Sequence, residues 1–218
     1  MAGAKSDRVT VLLVDDHAVV REGYRRLLER HGDIVVIGEA ADAAEAHALF
    51  RKLAPQIVVM DITLPGLSGI EAMRRMLEHE PDSRVLIFSM HEDAIFAKRA
   101  LQAGAFGYVT KANAPGVLVE AAHAIASGKK YLSATVARTL AVGDSTTGQS
   151  ASDALSAREF EVLRMQVQGQ SIGDIAHSMR LDSKTIYRHQ SAIRQKLRVD
   201  SPFRLFAIAN EFGLESKH

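Results

Sequence analysis

Five polar residues of this 218-residue sequence each come just after a short apolar segment. Asp15 and Asp16 follow VTVLLV, Asp61 follows IVVM, Ser89 follows VLIF, and Lys111 comes two residues after FGYV. Three carboxylates in one pocket cannot all stay ionised without a cation, and a hard divalent ion such as Mg²⁺ would resolve their repulsion. With a hydroxyl and an ammonium beside them, they suit phosphoryl transfer in which Asp61 attacks and Lys111 and Mg²⁺ hold the developing charge.

These residues can meet only if the apolar segments form one parallel sheet. The segments are rich in β-branched residues and alternate with stretches whose apolar residues recur at helical spacing, the last of which spans Pro115–Ala126. Five such β–α units predict an α/β fold, a doubly wound five-stranded parallel sheet of order 2-1-3-4-5. Strands one and three are then neighbours, and the polar residues share the carboxyl edge of the sheet. The predicted strands are Val9–Val14, Ile34–Gly38, Ile57–Met60, Val85–Phe88 and Phe106–Val109.

The length of the chain fits one large domain or two small ones, and its composition is that of a globular protein. The chain has no cysteine, which excludes disulfides and thiolate metal sites, and no apolar run approaches the ~20 residues of a membrane helix. We therefore expect a cytoplasmic protein without a membrane partner. Residues 8–128 would form the sheet domain, and residues 129–152 a linker with a short helix near Leu132–Leu140, since Gly143–Ser152 reads GDSTTGQSAS. Residues 153–215 would form a small all-α domain.

The second domain contains the most basic segment of the chain. Between Arg180 and Arg198 there are six basic residues and one acidic residue. Two helices, Ile172–Ser178 and Ser183–Leu197, flank a four-residue turn, as in a helix-turn-helix that places its second helix in the DNA major groove. Helices are also predicted at Ser156–Val167 and Pro202–Phe212. The candidate DNA contacts are Lys184, Thr185, Tyr187, Arg188, His189, Ser191 and Arg194.

The first domain resembles the receiver domain of two-component response regulators. The resemblance rests on VLLVDDH, VVMDITLPGLSGIEAMRRM, IFSMHED and LQAGAFGYVTKA. It implies that Asp61 accepts a phosphoryl group from a sensor histidine kinase. It also implies that Asp16, Asp61 and the backbone carbonyl of Thr63 ligate Mg²⁺, with Asp15 acting through water. Ser89 and Tyr108 would be the switch pair.

The second domain resembles the LuxR-type helix-turn-helix. Together with the receiver domain, the chain then resembles the FixJ/NarL subfamily of response regulators over nearly its full length. The pattern includes Leu155-Ser156-x-Arg158-Glu159, Gly169, Ile175-Ala176, Thr185, His189 and Lys196-Leu197. The sequence departs from it at Tyr187, where lysine is usual, and at Gln190 and Ser191. The resemblance implies double-stranded DNA as a partner. One helix-turn-helix buries too little surface for useful specificity, and two copies add avidity, so we expect a homodimer as the active form. RNA polymerase is a further candidate partner.

Two other functions fit parts of the sequence. A haloacid-dehalogenase-like phosphohydrolase also uses an aspartate nucleophile and Mg²⁺, but it needs an acidic residue two positions after the nucleophile, where this chain has Thr63. An atypical receiver could bind DNA without phosphorylation, although every pocket residue is present. We therefore predict a transcription regulator that is not an enzyme, apart from slow hydrolysis of its own acyl phosphate.

Overall fold

A computed structural model describes residues 8–65, 67–92, 94–143, 154–211 and 214. The chain divides into two compact units, Met1–Asp144 and Ser145–His218. Most of the predicted Gly/Ser/Thr-rich linker, residues 144–152, lies outside the described residues. None of the helices in the described part of the chain is both long and apolar enough to cross a membrane.

The first unit is a parallel sheet with helices between its strands. The predicted order is confirmed, because the strands run β2-β1-β3-β4-β5-β6 and every pairing is parallel. The elements in chain order are β1 (Val9–Val14), α1 (Ala18–Glu29), β2 (Ile34–Ala40), α2 (Ala43–Leu53), β3 (Ile57–Met60), α3 (Gly69–His79), β4 (Val85–Ser89), α4 (Ala94–Gln102), β5 (Gly107–Thr110), α5 (Ala114–Ala126), β6 (Tyr131–Leu132) and α6 (Ala134–Gly143).

The sixth strand differs from the prediction of five. Tyr131 and Leu132 pair with β5, and the Ser133 amide donates to the carbonyl of Tyr108 at 3.1 Å. Helix α6 then packs against α4 and β5, with Val136 fully buried. The structure thus places the first part of the predicted linker in the sheet unit. A two-residue strand is too short to show a periodic pattern, which is why the sequence did not reveal it.

Burial on both faces explains the continuous apolar strands. Every described residue of β3, β4 and β5 is buried, as is the second half of β1. Helices cover both faces of a parallel sheet, so neither face needs polar residues. The polar residues that end these strands therefore stand at the rim of a rigid apolar core.

The second unit is helical in its described part, as predicted. Its helices are α7 (Ala157–Val167), α8 (Ile172–Met179), α9 (Ser183–Leu197) and α10 (Pro202–Glu211). Ser156 and Glu159 form the predicted capping box, and Ser171 with Asp174 forms a second one. Asp182 caps α9 by accepting from the Thr185 amide. Phe212, the predicted end of the last helix, lies outside the described residues.

Candidate functional site

Two neighbouring strands bring the aspartates together. Val14 and Met60, the last residues of β1 and β3, are paired in register. The Asp61 amide donates to the carbonyl of Val14 at 2.9 Å, and the Asp15 amide donates to the carbonyl of Ala40 at 3.1 Å. As a result, potential ligand atoms of Asp15, Asp16, His17 and Asp61 all lie within 4.8 Å of one another.

Lys111 joins this acidic cluster from the end of β5. Its Nζ donates to Oδ2 of Asp15 at 2.7 Å and to Oδ2 of Asp61 at 2.6 Å, and its side chain is only 6% exposed. Burial raises the pKa of the Asp61 carboxyl above its ordinary value, an effect that Lys111 opposes. Burial would lower the pKa of Lys111, but the carboxylates of Asp61 and Asp15 outweigh it and raise that pKa. The ammonium is therefore held charged between two carboxylates.

The charge and chemistry of this cluster fit a hard divalent cation. The three aspartates would carry three negative charges when ionised, and Lys111 supplies one positive charge. The side chains of Asp15, Asp16 and Asp61 are almost fully buried, so water does little to screen their repulsion. Carboxylate oxygens are the ligands that Mg²⁺ prefers. A divalent ion would balance the remaining two charges.

The backbone after β3 packs tightly against the start of α3. Oδ1 of Asp61 accepts from the Thr63 amide at 3.2 Å, and the Gly69 amide donates to the carbonyl of Ile62 at 2.8 Å. A Cβ at position 69 would lie only 1.8 Å from the carbonyl oxygen of Asp61. Glycine is therefore required there. This role was not predicted from the sequence, because a glycine next to an N-cap serine carries no sign of a distant contact.

Arg21 on α1 supports the acidic cluster from behind. Its Nη1 donates to the carbonyl of Asp15 at 2.5 Å, while its Nε donates to Oε2 of Glu39 at 2.9 Å. Arg25 holds the other oxygen of Glu39 at 2.9 Å. These contacts link the ends of β1 and β2 to α1. Arg21 was likewise not predicted as a site residue, although its place four residues after His17 puts both on one side of α1.

His91 connects the two residues of the predicted switch pair. Ser89 and Tyr108 are fully buried. The Oγ of Ser89 accepts from the His91 amide at 3.2 Å, and the hydroxyl of Tyr108 donates to the His91 carbonyl at 2.9 Å. The His91 ring stacks on Phe96, with 4.2 Å between centroids, and its Nε2 lies 3.4 Å from Oγ1 of Thr63. The loop after β4 thus contacts both predicted switch residues and the loop after β3.

In the second unit, α9 has one buried face and one exposed basic face. Ile186, Ile193 and Leu197 are buried, as their spacing predicted. The predicted DNA-contacting residues that lie exposed are Lys184, Tyr187, Arg188, Ser191 and Arg194. This face presents cationic and hydrogen-bonding side chains along one helix, which is the arrangement that major-groove recognition requires.

The other two predicted contacts, Thr185 and His189, have partners or surroundings within the domain. Thr185 donates through its amide and its hydroxyl to the two oxygens of Asp182, at 2.8 and 2.9 Å. His189 is half-buried, and burial lowers its pKa. Thr185 therefore contributes to the cap of α9, and His189 lies at the border between the exposed and the packed face.

An ion pair fastens α9 to α7. Lys196 Nζ donates to Oε2 of Glu159 at 2.7 Å, and the Ser156 amide donates to the same oxygen at 2.6 Å. Burial raises the pKa of Glu159, but these two donors outweigh it, so the pKa lies below its ordinary value. Gln190 adds a hydrogen bond to Gln166 at 3.2 Å. The orientation of α9 is thus set by polar contacts as well as by its apolar face.

Comparison with known proteins assigns both units to families. Residues 11–123 match the response regulator receiver domain, and residues 153–209 match the bacterial regulatory proteins of the luxR family. The chain is 32% identical to the response regulator UvrY of Escherichia coli strain K12 over 208 residues, covering 94% of this chain and 95% of UvrY.

Solved structures agree with this assignment. A LuxR-family two-component response regulator from Aurantimonas sp. SI85-9A1 is 48% identical, with a TM-score of 0.62, over 64% of this chain and 99% of that one. The RcsB response regulator of Salmonella typhimurium is 27% identical, with a TM-score of 0.60, over 94% and 99%. RcsB has also been solved as two dimers bound to two parallel DNAs. The chain therefore belongs to the two-component response regulators of the FixJ/NarL subfamily, with a receiver domain and a LuxR-type helix-turn-helix domain.

Proposed function

We propose that a sensor histidine kinase phosphorylates Asp61 and that this modification switches sequence-specific DNA binding by the second domain. The observation that carries the proposal is the position of Lys111, whose Nζ bridges Asp61 and Asp15 at the carboxyl edge of the sheet. A cation held between a nucleophile and a second carboxylate is suited to stabilise charge on a transferring phosphoryl group.

In the proposed reaction, a carboxylate oxygen of Asp61 attacks the phosphorus of a phosphohistidine. The new O–P bond makes an acyl phosphate, the P–N bond breaks, and its electron pair returns to the histidine ring. Lys111 stays protonated throughout and stabilises charge on the phosphoryl oxygens. Slow attack of water on the same phosphorus would later release inorganic phosphate and restore Asp61.

Asp16, Asp61 and the backbone carbonyl of Thr63 would hold Mg²⁺ directly, and Asp15 would act through water. Both oxygens of Asp15 accept bonds, from Lys111 and from the His17 amide, and both oxygens of Asp61 do so too, from Lys111 and from the Thr63 amide. The division between direct and water-mediated ligands therefore rests on membership of the response regulator family. When bound, Mg²⁺ supplies the positive charge needed in this acidic pocket beyond that of Lys111. The remaining groups hold the carboxylates in place.

Ser89 and Tyr108 would sense the phosphorylated state. Their shared contact with the backbone of His91 supports this role, since a hydroxyl drawn toward a phosphoryl group must change how the loop after β4 is held. Tyr108 also accepts the Ser133 amide through its carbonyl, directly before α6. A change at β5 would therefore reach the segment that leads to the second domain.

Intact mass spectrometry tests the phosphorylation. Incubation with a small phosphodonor and Mg²⁺ should add about 80 Da to the wild type, the mass of one phosphoryl group. The gain should be absent in Asp61→Asn and present in Asp82→Asn, a matched change at an exposed aspartate. If Asp61→Asn gains the same mass, another residue is the acceptor. DNA affinity with and without the phosphodonor then separates a switched regulator from one that binds DNA unconditionally.

For DNA recognition, we assign base reading to Tyr187 and Arg188, and phosphate contacts mainly to Lys184 and Arg194. Arginine can pair bidentately with a guanine edge, while tyrosine can donate one hydrogen bond or pack on a thymine methyl. The exposure of Tyr187 and Arg188 on the face opposite to Ile186 supports this assignment. Thr185, His189 and Ser191 would add contacts at the edges of the same face.

The active form would be a homodimer on two half-sites. Helix α10 buries Leu205 but leaves Phe203 84% exposed and Phe206 partly exposed, so that an apolar surface remains for a second copy. Footprinting should show half-sites about 10 bp apart or at a near multiple, and one isolated half-site bound at full affinity would contradict the dimer. A regulator of this kind would act in the cytoplasm, with RNA polymerase as a further candidate partner.

A further inference from the structure

In the described part of the chain, four neighbouring residues could together hold a metal ion: Asp15, Asp16, His17 and Asp61. His17 is the member of this cluster that is not a carboxylate. Its Nδ1 lies 2.7 Å from Oδ1 of Asp16 and 3.4 Å from Oδ1 of Asp15. Adjacent ligands of an octahedral ion with bonds of about 2.1 Å lie ~3.0 Å apart. Nδ1 of His17 and Oδ1 of Asp16 are therefore close enough to be neighbouring ligands of a single ion, while Asp15 keeps its role through water.

The side chain of His17 is also not engaged in capping a helix. His17 is the N-cap residue of α1, a position where serine, threonine, aspartate or asparagine normally accepts an amide hydrogen bond. The His17 side chain makes no such bond, and it faces the carboxylates instead. The side chain is 54% exposed, so the second ring nitrogen can carry the proton and be hydrated while Nδ1 offers its lone pair.

We propose that His17 ligates the divalent ion through Nδ1 and makes this site prefer a borderline transition metal, such as Co²⁺, over Mg²⁺. This inference rests on the proposed function, because it uses the same ion site. Imidazole suits transition metals, whereas an all-oxygen set suits Mg²⁺. The close contact between Nδ1 and Oδ1 of Asp16 would be replaced by a bond from each of these atoms to the ion.

Calorimetric titration of the full-length protein with MgCl₂ and with CoCl₂ tests the inference. We expect His17→Gln to weaken Co²⁺ binding by about tenfold or more, within the range seen when metal sites lose a supporting group, and to change Mg²⁺ binding far less. His17→Ser should do the same, and because serine is a favourable N-cap residue, loss of α1 cannot explain that result. His31→Gln is the control, since His31 is exposed and precedes β2 at the opposite edge of the sheet.

A spectroscopic measurement identifies the ligand directly. In the Co²⁺ form, a paramagnetically shifted imidazole proton resonance should be present in the wild type and in His31→Gln, and absent in both His17 variants. An unchanged ratio of Co²⁺ to Mg²⁺ affinity in the His17 variants would overturn the inference and leave the proposed function intact. An equal loss of affinity for Co²⁺ and Mg²⁺ would also overturn it, because His17 would then support the site without being a ligand. A wild type that binds neither ion would overturn both proposals.

Discussion

The tight contact at Gly69 predicts that one added methyl group damages the phosphoacceptor loop. In Gly69→Ala, the new Cβ would lie 1.8 Å from the carbonyl oxygen of Asp61 and 2.8 Å from its carbonyl carbon. Real Cβ contacts are essentially never below 3.0 Å, so the two backbone segments must separate by more than 1 Å. The nearest atoms on the Asp61 side belong to the backbone, so the clash cannot be relieved by moving a flexible side chain.

The cost can be estimated from overpacking and from the thermal behaviour of small domains. Overpacking costs about 1–3 kcal/mol. At roughly 4 °C for each kcal/mol, the melting temperature of the receiver domain should fall by about 4–12 °C. Phosphorylation should slow as well, because the displaced carbonyl belongs to Asp61. Differential scanning calorimetry of the full chain measures the first effect, and the transition of the helical domain serves as an internal reference.

Gly23→Ala is the matched control for this prediction. Gly23 lies within α1, and a Cβ added there would have nothing within 4 Å. Alanine is favoured over glycine in a helix by about 1 kcal/mol, so this variant should be slightly more stable than the wild type. The same glycine-to-alanine change should therefore lower the melting temperature at position 69 and raise it slightly at position 23. If Gly69→Ala melts at or above the wild-type temperature, the close approach is not a real constraint.

Three further predictions concern Arg21 at the acidic cluster, the Lys196–Glu159 ion pair, and the exposed basic face of α9. Arg21→Gln should weaken Mg²⁺ binding about tenfold, because the carbonyl of Asp15 loses its hydrogen-bond donor. Arg26→Gln is the control, an exposed change on the same helix, and calorimetry should show no loss of Mg²⁺ affinity in it. The pKa of Glu159 is depressed on folding, so its stabilisation is present above the unfolded pKa and is lost as the pH falls through the folded pKa. Acid should therefore destabilise the wild-type helical domain more than Glu159→Gln, as melting curves between pH 7 and roughly pH 3 would show. Arg188→Ala should cost about 1–3 kcal/mol on the cognate site and relax specificity at one base, whereas Lys184→Ala should weaken all sequences alike and lower the salt slope by about one.

Each of these three has a result that contradicts it. Equal Mg²⁺ affinity in Arg21→Gln and the wild type would mean that the carbonyl contact does not position the site. If the melting temperatures of Glu159→Gln and the wild type change with pH in the same way, the Lys196–Glu159 ion pair does not stabilise the helical domain. Equal losses on cognate and scrambled DNA for Arg188→Ala would make Arg188 a phosphate contact.

Local patterns in the sequence were sufficient to predict the sheet and the helical domain. Continuous apolar segments separated by helical spacing specify a parallel sheet with helices on both faces, and that topology puts the residues after β1, β3 and β5 at one edge. The convergence of Asp15 and Asp61 follows from strand order, because β1 and β3 are neighbours. Strand order puts Lys111 at the same edge but two strands away from Asp61, so its contacts with the two aspartates were decided by the tertiary structure. By contrast, the spacing of Ile186 and Ile193 determined which face of α9 would be buried.

Contacts between distant segments were decided only by the tertiary structure. Whether Gly69 can carry a side chain depends on how closely the start of α3 approaches the backbone of Asp61, which no local pattern records. The bond from Arg21 to the carbonyl of Asp15 and the exposure of Phe203 beside buried Leu205 likewise depend on packing. Hydrophobic periodicity indicates which residues are buried, because the buried face of a helix or strand is visible in the spacing of its own apolar residues. It does not report which atoms then meet, because that depends on how separate elements approach one another.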